Sequence, residues 1–109
     1  EIVRANLRVI KHDGRHEPLD VNKLRNGILR ACEKRPINAE QIDAMVAAIV
    51  AEIDAEYEKE VPSSVIGEKV MARLEKMDEV AYVRFASVYR RFKDVNQFLA
   101  EVKGLIGKE

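Results

Sequence analysis

A single cysteine, two histidines and no glycine-rich loop leave this sequence short of most catalytic chemistry. Cys32 alone forms neither an internal disulfide nor a cysteine-cluster zinc site, and it points to a reducing compartment, the cytoplasm. His12 and His16 fall in one short segment, where exposed loop residues are a better reading than a two-histidine metal site. No group of His, Cys, Asp or Glu shows metal-ligand spacing, so no metal is expected. No serine occupies a nucleophile motif and no P-loop is present, so an enzyme is not expected. The longest apolar run, Met45 to Ala51, falls far short of the roughly 20 residues that a membrane helix needs. A secretory leader is lacking too: the chain opens Glu1-Ile2-Val3-Arg4 without an initiator Met, which reads as a fragment. Charge of one sign is also missing. Lys and Arg number 19 and so do Asp and Glu, unlike the basic excess of a dedicated nucleic-acid binder.

What is present is a well-patterned single domain. Hydrophobic residues make up 47% of 109 and charged residues 35%, enough for one core under a solvated surface. Asn6–Lys11 partly alternates and is β-branched at its centre. Asp13-Gly14 then signals a tight hairpin, which a type I′ turn with two positive φ angles would satisfy. Arg15–Leu19 returns as an edge strand bearing Pro18. The reading from there on is helical. Asp20 caps a helix with Val21, Leu24, Ile28 and Cys32 on one stripe, ended by Arg35-Pro36. Asn38 with Gln41 resembles a capping box and opens a helix that carries Ile42, Met45, Val46, Ile49 and Ile53 inward.

Glu60-Val61, before Pro62, suits a third short strand. A helix from Ser63 or Ser64 then faces Ile66, Val70, Leu74 and Met77 inward. Asp78 caps a fourth helix, Glu79 to about Phe92, so apolar around its circumference that it is expected to be the most buried element. Asp94 caps an amphipathic last helix with Val95, Phe98, Leu99, Val102, Leu105 and Ile106 on one face. The expected fold is therefore mainly α: a four-helix bundle over residues 20–92, capped by a small two- or three-stranded antiparallel sheet at 6–19, with a C-terminal helix at 94–106. Residues 1–109 form a single domain on this reading.

The charges are unevenly spread. Residues 1–35 hold nine Lys or Arg against five Asp or Glu, and residues 36–109 hold ten against fourteen. Lys11, His12 and Arg15 gather about the Asp13-Gly14 turn, with Lys23 one turn into the first helix. Basic side chains beside a helix N-terminus suit a phosphate, because free N–H groups and the helix dipole both favour an anion. Glu17 and Asp20 would repel phosphate, yet their carboxylates can accept hydrogen bonds from an adenine amino group. Asp20 is equally a plain helix cap. Arg84 interrupts the apolar fourth helix and needs a partner, a structural carboxylate or a bound anion. Arg90 and Arg91 suit the dipole at that helix's C-terminal end.

Several stretches together resemble a known family. Val9-Ile-Lys-His-Asp-Gly-Arg-His-Glu-Pro-Leu-Asp20, followed by Asn22-Lys-Leu, is similar to the opening of an ATP-cone, the nucleotide-sensing module of ribonucleotide reductases. Arg30-Ala-Cys-Glu-Lys-Arg-Pro36, Glu60-Val-Pro-Ser-Ser-Val-Ile-Gly67 with Val70-Met71, and Asp78-Glu-Val-Ala-Tyr-Val-Arg-Phe-Ala-Ser-Val-Tyr-Arg90 resemble the ATP-cone of the NrdR family, bacterial repressors of ribonucleotide reductase genes. The resemblance covers roughly residues 7–103. It implies a small sheet over a four-helix bundle that binds ATP or dATP, with Mg²⁺ as a conceivable companion. It further implies that nucleotide loading sets the state of a homo-oligomer and thereby its DNA binding.

By matching position, Lys11 and His12 face phosphates, Glu17 and Asp20 the base, and Lys23 the phosphates or ribose. Val9 and Leu19 pack the base, and Tyr89 and Arg91 contribute from the fourth helix. His12 departs from the arginine usual there, which implies a weaker or pH-dependent phosphate contact. The family's zinc ribbon, with its two cysteine pairs, is absent from this sequence. Zinc and DNA contact are accordingly expected only through that missing part. Two other readings stand beside this one: the ATP-cone of a reductase itself, and a helical oligomerisation module without nucleotide.

Overall fold

A computed structural model describes residues 7–90, 99, 100 and 102–104. Three strands, β1 (Arg8–Ile10), β2 (His16–Pro18) and β3 (Glu60–Pro62), lie beside four helices. The helices are α1 (Val21–Ala31), α2 (Ala39–Glu56), α3 (Ser63–Met77) and α4 (Glu79–Tyr89). α1 packs on α2 and α4, and α3 packs on the same two helices, which closes a ring of four around one core. The mainly α architecture with a strand cap is the one the patterning predicts.

The sheet differs from expectation in direction. Its order is β2-β1-β3, with β1 antiparallel to β2 but parallel to β3, so the cap is a mixed sheet. Parallel pairing follows from connectivity: α1 and α2 carry the chain away and return it to run alongside β1. Leu7, Val9 and Val61 are buried, so the sheet's inner face completes the core. The turn differs as well. Within the loop only Gly14 has positive φ, at 87°, while the Gly14 N–H donates to the Lys11 carbonyl and the Lys11 N–H to that of Arg15. That is a three-residue loop whose last position demands glycine, in place of a two-residue type I′ turn.

The caps follow the sequence closely. The Asp20 carboxylate accepts from the Lys23 N–H at 3.1 Å. Asn38 and Gln41 form the full reciprocal box, at 2.8 and 2.9 Å. The Asp78 carboxylate accepts from the Ala81 N–H at 2.9 Å and also holds the Arg35 guanidinium at 3.0 Å. All five inward residues predicted for α2 are buried, as are Ile66, Val70 and Leu74 of α3. At about 1.5–3 kcal/mol for each large apolar side chain removed from water, these two helices carry most of the core.

α4 is not the most buried element. Ala81, Tyr82 and Ala86 are buried, but Val80 and Val88 are 39% and 81% exposed. The ring arrangement explains this, because each helix shows one face to the core and α4 turns Val80 and Val88 away from it while Val83 packs partly against it. Met77, expected inward, is exposed at the C-terminal end of α3. α1 stops at Ala31, ahead of Pro36, and Lys34 turns the chain with φ of 62°. α4 ends at Tyr89 with Arg90 as its C-cap. The stretch to Phe92 and most of the last helix lie outside the described residues; positions 99, 100 and 102–104 are helical.

Candidate functional site

The hairpin loop faces the start of α3 and the end of α4 across a cleft of about 240 Å³. Lys11, His12, Asp13 and Arg15 form one wall, and Ser63, Val88 and Tyr89 the other. β3 runs straight into α3, so the strand pairing that fixes the sheet also presents this helix end to the loop.

The helix end offered to the cleft is that of α3, whereas the sequence pointed to α1. At α1 the Asp20 carboxylate already fills the capping position and places negative charge there. At α3 the capping residue is Pro62, and among the described residues no side-chain cap bond is formed. The first-turn N–H groups and the positive end of the helix dipole favour an anion.

The three cations of the loop are not equivalent. Arg15 pairs with Asp13 at 2.7 Å and with Glu17 at 3.0 Å. The Arg15 backbone N–H and guanidinium hold the Asp13 carboxyl below the usual carboxylate range. Lys11 is half-buried and His12 exposed, and neither forms an ion pair with any described residue. His16, on β2, instead meets Glu60 at 3.3 Å on the outer side of the sheet. Behind the loop, burial pushes the Tyr89 phenol up. Its oxygen is shut off from solvent and makes no hydrogen bond of full geometry, although Ser63 and the Gly67 backbone act on it as polar neighbours.

The remaining predicted residues fall elsewhere. Glu17, Leu19, Asp20 and Lys23 line a second, more open cleft of about 420 Å³ at the start of α1. The Arg15–Glu17 pair links the two clefts through the return strand. Val9 is only 8% exposed and belongs to the core, so it reaches neither cleft. Arg91 lies outside the described residues. Sequence reasoning placed Ser63 only as a helix start; Pro62-Ser63 ahead of an apolar run was the available sign of a helix end free to bind.

Arg84 takes no carboxylate partner among the described residues. Its guanidinium donates to the carbonyl oxygens of Ala31 and Glu33, at 3.2 and 2.7 Å, where α1 ends. Those carbonyls lack intrahelical partners and attract a cation, which settles Arg84 as a cap for a neighbouring helix. Arg90 pairs with Glu68 at 3.2 Å, tying α4 to α3.

Residues 7–95 match the family described as the ATP cone domain, and the chain belongs to that family. Among its relatives the chain is 55% identical over 97 residues to the transcriptional repressor NrdR of Myxococcus xanthus, covering 89% of this chain and 58% of the relative. It is 55% identical over 100 residues to the transcriptional repressor NrdR of Geobacter metallireducens, covering 92% and 67%. With that of Heliobacterium modesticaldum it shares 50% over 108 residues, covering 99% and 71%. The chain therefore spans 58% to 71% of the length of these relatives. All three relatives are named as repressors, regulatory proteins and not enzymes. Among the described residues, no helix is long and apolar enough to cross a membrane.

Proposed function

We propose that this chain is the adenine-nucleotide-sensing domain of a transcriptional repressor of ribonucleotide reductase genes. The observation that carries the reading is the cleft in which Lys11 and His12, free of ion pairs among the described residues, face the uncapped start of α3. Two cationic or protonatable side chains and a helix N-terminus converging on one space suit a polyphosphate. The nucleotide lies along the hairpin, its phosphates against Lys11, His12 and Ser63. Its base and ribose reach toward Glu17, Leu19, Asp20 and Lys23, with Val9 supporting the strand from beneath. Tyr89 completes the wall from the end of α4, and Arg91, which lies outside the described residues, is assigned to the nucleotide by the family resemblance alone.

On this reading ATP and dATP are the ligands, with Mg²⁺ accompanying the phosphates. Their exchange shifts the equilibrium between homo-oligomers in the cytoplasm, which requires unequal affinity for the two assemblies. DNA is contacted through the part of the relatives that lies outside this chain, where the family's zinc also belongs. Thermal denaturation with ATP, dATP and GTP tests the binding. A ligand at 100 times its dissociation constant adds about 2.7 kcal/mol of stability. Adenine nucleotides should raise the transition and GTP should not; no shift with any of them would sink the reading. Size-exclusion chromatography with ATP against dATP then tests the assembly.

A further inference from the structure

Beyond nucleotide binding itself, we infer that the cleft takes up a proton together with the triphosphate, and that His12 is the residue that receives it. The inference rests on the proposed polyphosphate site and specifies how solution pH regulates it.

Among the described residues the cleft's charged and titratable lining groups are Lys11, His12, Asp13 and Arg15 from the hairpin and Tyr89 from α4, with the Ser63 hydroxyl from α3. Lysine and arginine side chains keep their charge from pH 6 to 8. Asp13 is drawn further from that window, downward, by the Arg15 backbone and guanidinium. Tyr89 is displaced upward by burial. An imidazole is the remaining group in the set whose charge changes there. His12 is exposed in the loop, and no described carboxylate is paired with it to supply a negative charge in the ligand's absence. A phosphate oxygen brought beside the ring favours the imidazolium, because opposite charges within a few ångströms stabilise each other.

The sign follows. Binding raises the proton affinity of His12, so the extra affinity for nucleotide is complete at low pH and disappears as pH rises through neutrality. A tenfold loss corresponds to a displacement of one pH unit between the free and bound protein, the lower end of what a neighbouring opposite charge produces. His16 does not share the role, since it lies on the outer face of the sheet beside Glu60.

The test is calorimetric titration of the 109-residue chain with ATP at pH 6, 7 and 8, in buffers of different ionisation heat. His12→Arg and His12→Gln are measured alongside, and subtracting either removes the contribution of the nucleotide's own γ-phosphate. The wild-type chain should absorb more protons than either variant at pH 7. Its affinity should fall about tenfold more than that of His12→Arg between pH 6 and 8. His12→Arg should keep strong binding throughout, and His12→Gln should bind weakly at every pH. Equal proton uptake and parallel pH profiles in three proteins that all bind ATP would overturn the inference while leaving the nucleotide site standing. No heat with ATP in the wild-type chain at any pH would overturn both.

Discussion

The ring of Tyr89 lies directly over the bare Cα of Gly67, so close that a β-carbon on residue 67 would fall within the ring. This contact locks α4 to α3 at the wall of the hairpin cleft, and it makes glycine a packing requirement in the middle of a helix. Alanine is normally favoured over glycine in a helix interior by up to about 1 kcal/mol. Here the overlap reverses that preference.

Gly67→Ala should therefore destabilise the domain by about 1–3 kcal/mol, the usual cost of overpacking a core. Chemical denaturation measures it, and Gly67→Ala combined with Tyr89→Ala should recover part of the loss caused by the first change alone. A more stable Gly67→Ala protein would contradict the close approach.

Tyr89→Phe and Tyr89→Ala separate the ring from its hydroxyl. The ring stacks on Phe85 at 5.5 Å between centroids, while the hydroxyl oxygen is buried without a fully formed hydrogen bond. Phe should leave stability within about 0.5 kcal/mol or raise it, since removing a poorly satisfied buried group is nearly neutral. Ala should cost about 3 kcal/mol. A large loss in the Phe variant, read from the midpoint of urea unfolding, would show that the hydroxyl is well bonded after all.

Asp78 joins two tasks, capping α4 and pairing with Arg35, on a side chain only 6% exposed. Burial alone would raise its proton affinity, but the Ala81 N–H and the Arg35 guanidinium outweigh it and hold the carboxyl below the ordinary 3.8. A depressed value in the folded state means that the stabilisation is present above pH 3.8 and is lost as pH falls through the lower folded value. Asp78→Asn keeps the cap and should flatten this acid-side loss, whereas Asp78→Ala should cost about 1–2 kcal/mol at neutral pH through the missing cap. Denaturation midpoints from pH 2 to 7 decide between these outcomes.

Lys11→Ala should leave the fold unchanged and weaken ATP binding more than tenfold, because a charge-assisted contact contributes about 1.5–3 kcal/mol. Lys23→Ala, at the second cleft, should weaken binding as well if base and ribose lie there. Calorimetry with both variants checks the placement. Wild-type affinity in the Lys11 variant would move the phosphates elsewhere.

Val88→Ser should change stability by less than about 0.5 kcal/mol, as expected for a side chain 81% exposed, while Ile49→Ala should cost about 2–5 kcal/mol. Thermal unfolding of the pair tests whether α2, and not α4, anchors the core.

Much of the fold was legible because its signals are local. Asp20, Asn38 with Gln41, and Asp78 announced three helix starts through short-range hydrogen bonds, and each bond is present. The stripe from Ile42 to Ile53 showed which face of α2 turns inward, since helical period alone sets it. The misreadings share a different origin. α4 looked central because its composition is apolar, yet composition does not say which neighbours cover Val80 and Val88. Arg84 seemed to require an acid or an anion, yet it found backbone carbonyls of Ala31 and Glu33, more than fifty positions back along the chain.

The candidate site shows the same division. Lys11, His12 and Arg15 were visible as a basic loop because they are neighbours in the chain. Periodicity, caps and turn chemistry act over a few residues, so the sequence by itself determined the helices, the hairpin, the core-facing stripe of α2 and most of those of α1 and α3, where Val21 and Met77 at the helix ends are exposed instead. Only the tertiary structure decided that β3 lies parallel to β1 and thereby aims the start of α3 at that loop. It also decided that Arg84 reaches the carbonyls at the end of α1, and that Tyr89 closes over Gly67. These are meetings between distant segments, set by how the whole chain buries its apolar surface, and no short stretch of sequence contains them.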